Sequence, residues 1–219
     1  MKKTLIKICG MTNTDDIKCA NDMSEIDYVG MIFAEKSPRC INIDIAEKLI
    51  TACDNKKVVA VFMNQETDYI TNVINNLNLD ILQFHGNESL EFCNQFERPF
   101  IKTFHVKNDS LNIQAEFIKY AHAILLDTSI NDLDGGTGRT FDWEIINNKL
   151  IDDVSLSLPY FIAGGLNSSN IKDLILNYNP PGIDVSSGLE SDIGKKDHLL
   201  MKKFIENVRI SQLEYYEKN

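Results

Sequence analysis

A cysteine near the start of the chain stands in a local sequence that suits a reactive group. Cys9 ends the β-prone run LIKIC, residues 5–9, and Gly10 comes directly after it. Residues 12–16 then read TNTDD, and side-chain oxygens of this kind cap the free N–H groups of a first helical turn. The pattern predicts that Cys9 lies at the carboxyl end of a strand, just before a helix. In a barrel of alternating strands and helices, that end faces the active-site mouth.

An aspartate and a glycine-rich loop form a second candidate. Asp127 comes immediately after the apolar run 124–126, and the polar loop that follows ends in GGTGRTFDW, residues 135–143. An aspartate there lies at the mouth of the predicted sheet, and a long loop with Gly136 and Gly138 can close over a ligand. A structural interpretation also stays open, because a lone aspartate often caps a helix or turn and glycine-rich strings mark many turns.

Two short loops of small residues come later in the chain. Gly164 and Gly165 occur in AGGLN, and Ser186, Ser187 and Gly188 occur in DVSSGLE. Small residues allow backbone N–H groups to approach a ligand closely. Phosphate sites in barrels of this type are frequently built from the loops after the seventh and eighth strands. Either loop alone is compatible with an ordinary turn, but the pair predicts a phosphate-binding site.

Three further polar residues follow predicted strands. Arg39, in KSPR, comes after the second strand, and its fork of donors matches a carboxylate. Gln83 and His85, in LQFHG, end the fourth strand. We expect all three to contact a substrate, although Arg39 as a solvated loop charge and His85 as a structural histidine stay open at this point.

Strand-like and helix-like stretches that position these residues alternate along the chain. Short, doubly buried, β-branched strands at this spacing are typical of a parallel sheet. Eight β–α units in 219 residues favour a single α/β domain over residues 1–219, a closed (β/α)8 TIM barrel, with an open doubly wound sheet as the alternative. The predicted strands are 4–9, 28–33, 58–63, 81–84, 100–104, 123–127, 160–163 and 182–185. The predicted helices are 15–23, 43–52, 66–77, 88–96, 111–120, 143–150, 169–177 and 196–214.

The composition excludes several classes of function. A formal net charge of −10 leaves no basic face for nucleic acid, although backbone N–H groups can still hold an anionic phosphate. The 5 cysteines are scattered without a C-x-x-C pair, and the 4 histidines share no pattern, so neither a disulfide framework nor a metal site is predicted. No run is apolar enough to span a membrane, and no signal sequence is recognised. We expect a cytoplasmic protein.

The motifs in combination resemble one enzyme family. KICGMT, SPR, LQFHG, LLDT, GGTGRTFDW, AGGLN and DVSSGLE occur in this order over nearly the whole chain. Each motif is modest by itself. In this order they are similar to those of phosphoribosylanthranilate isomerase of tryptophan biosynthesis.

The resemblance implies an activity and roles for individual residues. The reaction is the Amadori rearrangement of N-(5′-phosphoribosyl)anthranilate to 1-(2-carboxyphenylamino)-1-deoxyribulose 5-phosphate, without a metal or an organic cofactor. Cys9 is implied as the general base, Asp127 as the general acid, and Arg39 as the group that holds the anthranilate carboxylate. An ordinary thiol is mostly protonated at neutral pH, so Cys9 should gain from a positive neighbour such as Lys7 or the next helix N-terminus. A monomer and a homodimer are both compatible with the resemblance.

Two other functions remain open from the sequence. The first is another phosphate-binding barrel enzyme of indole or histidine biosynthesis. The indole enzyme would need catalytic lysines where the strand ends here carry Cys9, Gln83 and Asp127. The second is a non-catalytic phosphate-binding barrel, which could keep the phosphate loops but has no need of both Cys9 and Asp127.

Overall fold

Eight parallel strands close into a barrel in which each strand pairs with the next one along the chain, and the last pairs with the first. The computed structural model describes residues 3–106, 111–128, 143–147 and 158–218. The predicted barrel and the predicted order of strands are confirmed, with boundaries that move by one or two residues. The strands are β1 (Leu5–Cys9), β2 (Tyr28–Ile32), β3 (Lys57–Phe62), β4 (Ile81–Phe84), β5 (Phe100–Val106), β6 (Ala123–Thr128), β7 (Tyr160–Ile162) and β8 (Gly182–Val185).

Helices follow most of the strands and cover the outside of the barrel. No helix in the described part of the chain is both long and apolar enough to cross a membrane. The described helices are α1 (Thr14–Asn21), α2 (Ile43–Thr51), α3 (Thr67–Asn76), α4 (Leu90–Asn94), α5 (Ala115–Tyr120), a 3₁₀ helix at Trp143–Asn147, α6 (Ile171–Tyr178), a second, short 3₁₀ helix at Ser187–Leu189 and α7 (His198–Lys218). Residues 148–150 of the predicted sixth helix lie outside the described residues.

The last helix begins later than predicted, because a small hairpin precedes it. Strands β9 (Glu190–Asp192) and β10 (Lys195–Lys196) pair antiparallel after β8. Lys196, predicted as the first helical residue, instead donates its N–H to Asp16 Oδ2 at 2.9 Å. Helix α7 therefore starts at His198, and the hairpin stands at the barrel mouth.

The helix-start signal after Cys9 is confirmed. Asn13 caps α1, and its side-chain oxygen accepts the N–H of Asp16 at 3.0 Å. Such a cap satisfies one of the N–H groups that a first helical turn leaves without a partner. The chain therefore turns from strand to helix within a few residues of Cys9.

Side chains of each strand alternate between the barrel interior and the helix layer, as a strand period of two requires. On β1, Ile6 and Ile8 pack outward against the helices, whereas Cys9 points inward. The interior cluster is small and mostly aliphatic or aromatic, and its fully described members are Cys9, Tyr28, Val59, Val61, Ile81, Ile101, Ala123, Leu125, Phe161 and Ala163. The polar groups at the mouth lie above this interior cluster, toward the carboxyl ends of the strands.

A buried ion pair ties two loops to the outside of the barrel. Lys102 Nζ lies 2.9 Å from Glu88 Oε2, and both side chains are almost completely buried. The other carboxylate oxygen of Glu88 accepts the N–H groups of Asn64 at 2.7 Å and Gly86 at 3.3 Å. Glu88 therefore fixes the loops that follow β3 and β4, and His85 lies in the second of them.

We expect Glu88→Gln to lower the free energy of unfolding by about 3 kcal/mol, because it leaves the buried Lys102 ammonium without a counter-charge. Urea-induced unfolding followed by circular dichroism measures this change. The matched control is Glu214→Gln, which removes the same charge from an exposed pair with Lys172, whose Nζ lies 3.0 Å from the Glu214 carboxylate. That variant should lose less than about 1 kcal/mol. Equal stability of the two variants would contradict the prediction.

Candidate active site

Cys9 lies at the carboxyl end of β1 and faces the barrel interior, as the sequence predicts. Two residues earlier, the fully buried Lys7 donates to Asp184 Oδ1 at 2.9 Å, and its charge acts on the Cys9 thiol. Lys7 and Asp184 are register partners of the β1–β8 ladder, which holds their side chains on the same inner face. The thiol therefore sits directly above a buried ion pair.

The electrostatic balance around Cys9 favours the neutral thiol in the substrate-free enzyme. Burial raises the pKa of the Cys9 thiol, and the lowering effect of the Lys7 charge is not large enough to offset it. For Lys7, burial lowers the pKa, but the ion pair with Asp184, together with the interaction with Cys9, outweighs burial, so that the pKa is raised. Burial also raises the pKa of Asp184 against the lowering effect of Lys7. The predicted positive neighbour is confirmed as Lys7, but it does not overcome desolvation.

A glycine on the neighbouring strand makes room for the thiol and the ammonium. A Cβ atom at Gly30 would lie 2.8 Å from Cys9 Sγ and 3.1 Å from Lys7 Nζ. Gly30 is the register partner of Cys9 in the β1–β2 ladder. Any larger residue at this position would push both functional atoms away.

Asp127 lies in β6 on the other side of the mouth, next to a histidine. His85 Nε2 is 3.3 Å from Asp127 Oδ2. His85 Nδ1 lies 3.2 Å from Gln83 Nε2 and 3.1 Å from Thr103 Oγ1. Because the amide nitrogen of Gln83 can only donate, Nδ1 is the acceptor in the neutral ring, and Nε2 carries the proton that points at Asp127.

A second histidine supports the first from β5. His105 Nε2 lies 2.9 Å from the carbonyl oxygen of His85, to which it donates, and the two rings are T-shaped with centroids 5.2 Å apart. Burial and the neighbouring His85 lower the pKa of His105. A neutral His105 therefore holds the backbone of His85 in place.

Arg39 is buried in an ionic cluster at the mouth and is not a solvated loop charge. Its Nε and Nη2 donate to the two carboxylate oxygens of Glu190, each at 2.7 Å. Lys196 Nζ donates to the same carboxylate at 2.9 Å and to the carbonyl oxygen of Ser186 at 3.1 Å. Arg39 Cδ passes over Gly10, where a Cβ atom would come within 2.7 Å of it. The cluster therefore lies beside the end of β1 that carries Cys9.

The two predicted phosphate loops meet at the ends of β7 and β8. Gly164 and Gly165 have φ values of 82° and 65°, a conformation that favours glycine. A Cβ atom at Gly188 would lie 1.9 Å from the Leu166 carbonyl oxygen, so the two backbones touch without intervening side chains. Ser186 and Ser187 stand at the same turn, and Ser186 Oγ is buried without a hydrogen-bond partner among the described residues. Phosphate binding at this place remains a prediction.

Several polar residues of the mouth were not predicted as site residues, although Asp184 and Glu190 belong to the DVSSGLE motif. Thr103, His105, Asp184, Glu190 and Lys196 became visible as site residues only through their contacts in the barrel. Gly136 and Gly138 of the predicted closing loop lie outside the described residues. Within the described ranges, no group of at least three His, Cys, Asp and Glu side chains is arranged to hold a metal ion.

Comparison with known proteins assigns this constellation to a family. Residues 6–207 match the family model described as N-(5′-phosphoribosyl)anthranilate isomerase. The isomerase of Legionella pneumophila strain Corby is 44% identical over 206 residues, which cover 93% of this chain and 96% of the relative. The chain belongs to the N-(5′-phosphoribosyl)anthranilate isomerase family. It is therefore an isomerase of tryptophan biosynthesis, and the activity predicted from the sequence is confirmed.

Solved structures of the family share the fold. The mutually generated monomers of the dimeric isomerase from Thermotoga maritima match with a TM-score of 0.78 and 33% identity, covering 94% of this chain and 98% of that one. A second isomerase structure contains reduced 1-(o-carboxyphenylamino)-1-deoxyribulose 5-phosphate. It matches with a TM-score of 0.77 and 32% identity, with coverages of 94% and 98%.

Gly30→Ala is expected to lower kcat/KM by roughly 10²-fold, because a displacement of about 1 Å in a catalytic group can cost that much. The new Cβ atom forces Cys9 Sγ and Lys7 Nζ apart. Steady-state kinetics on folded protein measure the loss. The matched control is Gly182→Ala, another interior strand position, where the Cβ atom would instead meet the Phe161 ring at 2.6 Å. The control should lose stability but keep its activity per folded molecule, and equal kinetic losses in both variants would contradict the assignment.

Proposed function

We propose that the chain acts as a single (β/α)8 barrel domain in which Cys9 is the general base and Asp127 the general acid of the isomerisation. The observation that carries this proposal is the placement of both groups at the carboxyl-end mouth, each with a partner suited to its role. Lys7 faces the Cys9 sulfur, and His85 faces the Asp127 carboxylate. The two groups can therefore act from different strands on one substrate between them.

The first step opens the ribose ring. The bond between C1′ and the ring oxygen breaks as Asp127 delivers a proton to that oxygen, and the anthranilate nitrogen forms a Schiff base with C1′. A carboxyl group can donate this proton only if it is protonated when the substrate binds. The His85 Nε2 proton, aimed at Oδ2 over 3.3 Å, orients the carboxyl group for the transfer.

The second step moves the hydrogen of C2′. The iminium carbon at C1′ acidifies the C2′ proton, which the Cys9 thiolate removes, and the electron pair becomes the C1′=C2′ bond of an enolamine. Loss of the hydroxyl proton at C2′ and protonation of C1′ then give the ketone. The sugar is oxidised at C2′ and reduced at C1′, so the substrate is its own redox partner and the balance needs no cofactor.

The remaining site residues are proposed to hold the two charged ends of the substrate. Arg39 has a guanidinium at the mouth and is proposed to bind the anthranilate carboxylate. The phosphate is proposed to bind at the two small-residue loops, through backbone N–H groups around Gly165 and Gly188 and the hydroxyl groups of Ser186 and Ser187. Gln83, His85, Gly136, Gly138 and Gly164 complete the proposed substrate-binding set.

We further propose that the only partners are the small-molecule substrate and, in a homodimer, a second copy of the chain. The relative from Thermotoga maritima is described as dimeric, while a monomer stays equally open for this chain. Neither nucleic acid nor a membrane is proposed as a partner, in keeping with the formal net charge of −10. A cytoplasmic location is supported by the phosphorylated, charged substrate, which does not cross a membrane unaided.

Cys9→Ser and Asp127→Asn are each expected to lower kcat by about 10²–10⁴-fold, the usual contribution of a positioned proton-transfer group. Substrate is generated in place from anthranilate and phosphoribosyl pyrophosphate by a separate transferase, and the loss of its fluorescence is followed with a chelator present. Cys93→Ser is the matched control, because burial raises the pKa of the Cys93 thiol to about 12 and this residue lies on α4. Full activity of Asp127→Asn would assign the acid role to another group.

The pH profile of kcat/KM should report the raised pKa of Cys9. Only the thiolate is active, and its fraction grows about tenfold per pH unit below the pKa of the thiol. The limb is measured in the Asp127→Asn background, because in wild type the loss of the protonated carboxyl would offset the gain of thiolate. Because burial raises the pKa of Cys9, the residual kcat/KM in this background is expected to climb through neutral pH and to level off only above the ordinary cysteine value. Lys7→Met in the same background removes a charge that lowers the pKa, so the rising limb should move to still higher pH.

A control separates this effect from a loss of stability. Lys102→Met also removes a buried, ion-paired lysine, but one that is bound to Glu88 on the outer face of the barrel. Its pH profile in the Asp127→Asn background should keep the rising limb even if the variant is less stable. A Lys7→Met profile that coincides with that of Asp127→Asn alone would show that Lys7 does not act on Cys9.

A further inference from the structure

Glu190 uses both carboxylate oxygens to hold one edge of the Arg39 guanidinium. The two hydrogen bonds, from Nε and Nη2, are each 2.7 Å long, and the side chains are only 10% and 5% exposed. The residues are 151 positions apart in sequence and belong to the loop after β2 and to strand β9. An arginine pinned in this way has lost most of its rotamer freedom before any ligand arrives.

Lys196 is a second cation bound to the Glu190 carboxylate. Its Nζ donates to Glu190 Oε1 at 2.9 Å and to the Ser186 carbonyl oxygen at 3.1 Å, and the side chain is fully buried. Burial alone would raise the pKa of Glu190, but the hydrogen bonds from Arg39 and Lys196 outweigh it and lower that pKa. The formal charges of this cluster are two positive and one negative, which leaves one positive charge in excess.

The free edge of the guanidinium remains available. Glu190 takes Nε and one Nη2 hydrogen, whereas Nη1 makes no hydrogen bond with any residue in the described part of the chain. Arg39 Cδ and Ser186 Oγ both lie close to the position of a Cβ atom on Gly10, at 2.7 and 3.0 Å. We call the edge formed by Nη1 and the second Nη2 hydrogen the end-on edge of Arg39. This edge is a preorganised two-point donor beside Gly10, the residue that follows Cys9.

We propose that Glu190, braced by Lys196, is a positioning residue that sets the end-on edge of Arg39 for the carboxylate of the substrate. This inference rests on the carboxylate-binding role proposed above for Arg39. A bound carboxylate would balance the excess positive charge of the cluster. Binding would also cost little further side-chain ordering, because Glu190 has already immobilised the arginine.

The test compares the binding of two ligands to wild type and to Glu190→Gln. One ligand is reduced 1-(o-carboxyphenylamino)-1-deoxyribulose 5-phosphate, and the other is the same compound with a phenyl group in place of carboxyphenyl. Titration calorimetry gives the ratio of the two dissociation constants for each protein. Wild type should prefer the carboxylated ligand, and Glu190→Gln should lose about tenfold of that preference, the size of a coupling between groups in one ion-pair network.

Two further variants keep the test decisive. Glu190→Asp retains the negative charge beside Lys196, but its side chain is shorter and reaches Arg39 less well. It should therefore lose a smaller part of the preference for the carboxylated ligand. It replaces Glu190→Gln if that variant does not fold. Glu214→Gln, at the exposed pair with Lys172, should keep the wild-type ratio. Turnover by Glu190→Gln should fall mainly through a higher KM, with kcat nearly kept.

The possible outcomes distinguish this inference from the proposed function. An unchanged ratio in Glu190→Gln and Glu190→Asp, with wild type still selective and active, would overturn the role of Glu190 alone. Tighter binding of the carboxylated ligand by Glu190→Gln would show that Glu190 competes with the substrate, which also overturns it. A wild type that turns over substrate but binds both ligands equally would overturn the role of Arg39 and, with it, this inference.

Discussion

The buried ion pair between Lys7 and Asp184 is the constraint on which the rest of the site depends. Both side chains point into a barrel whose interior is otherwise largely apolar, and Lys7 Nζ lies 2.9 Å from Asp184 Oδ1. An unpaired charge in such a place would be strongly destabilising, so the register of β1 against β8 has to keep the two residues opposite each other. The same register puts Cys9 two residues above Lys7, at the mouth. Closure of the barrel and placement of Cys9 therefore depend on the same register of β1 against β8.

The other buried charges around the thiol are also paired, apart from one excess positive charge. Lys7, Arg39 and Lys196 are formal cations, and Asp184 and Glu190 are formal anions, so the buried set carries one excess positive charge while Cys9 is neutral. Loss of the thiol proton would neutralise the set. In the proposed mechanism, the substrate brings a carboxylate and a phosphate to the same mouth and develops an iminium cation next to C2′. The excess positive charge of the site can thus be balanced by the anionic groups of the ligand, even though the protein as a whole carries a net negative charge.

The sequence predicts the barrel well because short, β-branched strands buried on both faces leave few other arrangements. It predicts Cys9 and Asp127 at the mouth for a related reason, since the carboxyl ends of parallel strands meet at one face. It could not predict that Arg39 pairs with Glu190, 151 residues away. That contact depends on the hairpin of β9 and β10, and the local sequence does not distinguish this hairpin from the start of α7. Helices such as α5, which begins at Ala115 without a side-chain cap bond, were predicted too long for lack of such a start signal.

A thiol whose pKa is raised by burial is compatible with its use as a base. In the substrate-free enzyme the buried site stabilises the neutral thiol, which is far less prone to oxidation than a thiolate. In the proposed mechanism, the iminium that forms after ring opening places a positive charge close to Cys9, and a nearby opposite charge favours the thiolate. The charge of Lys7, two residues earlier on β1, also favours the thiolate. In the proposed mechanism, Cys9 is therefore activated at the point in the reaction where the C2′ proton becomes acidic, and ring opening by Asp127 controls when the thiol can act.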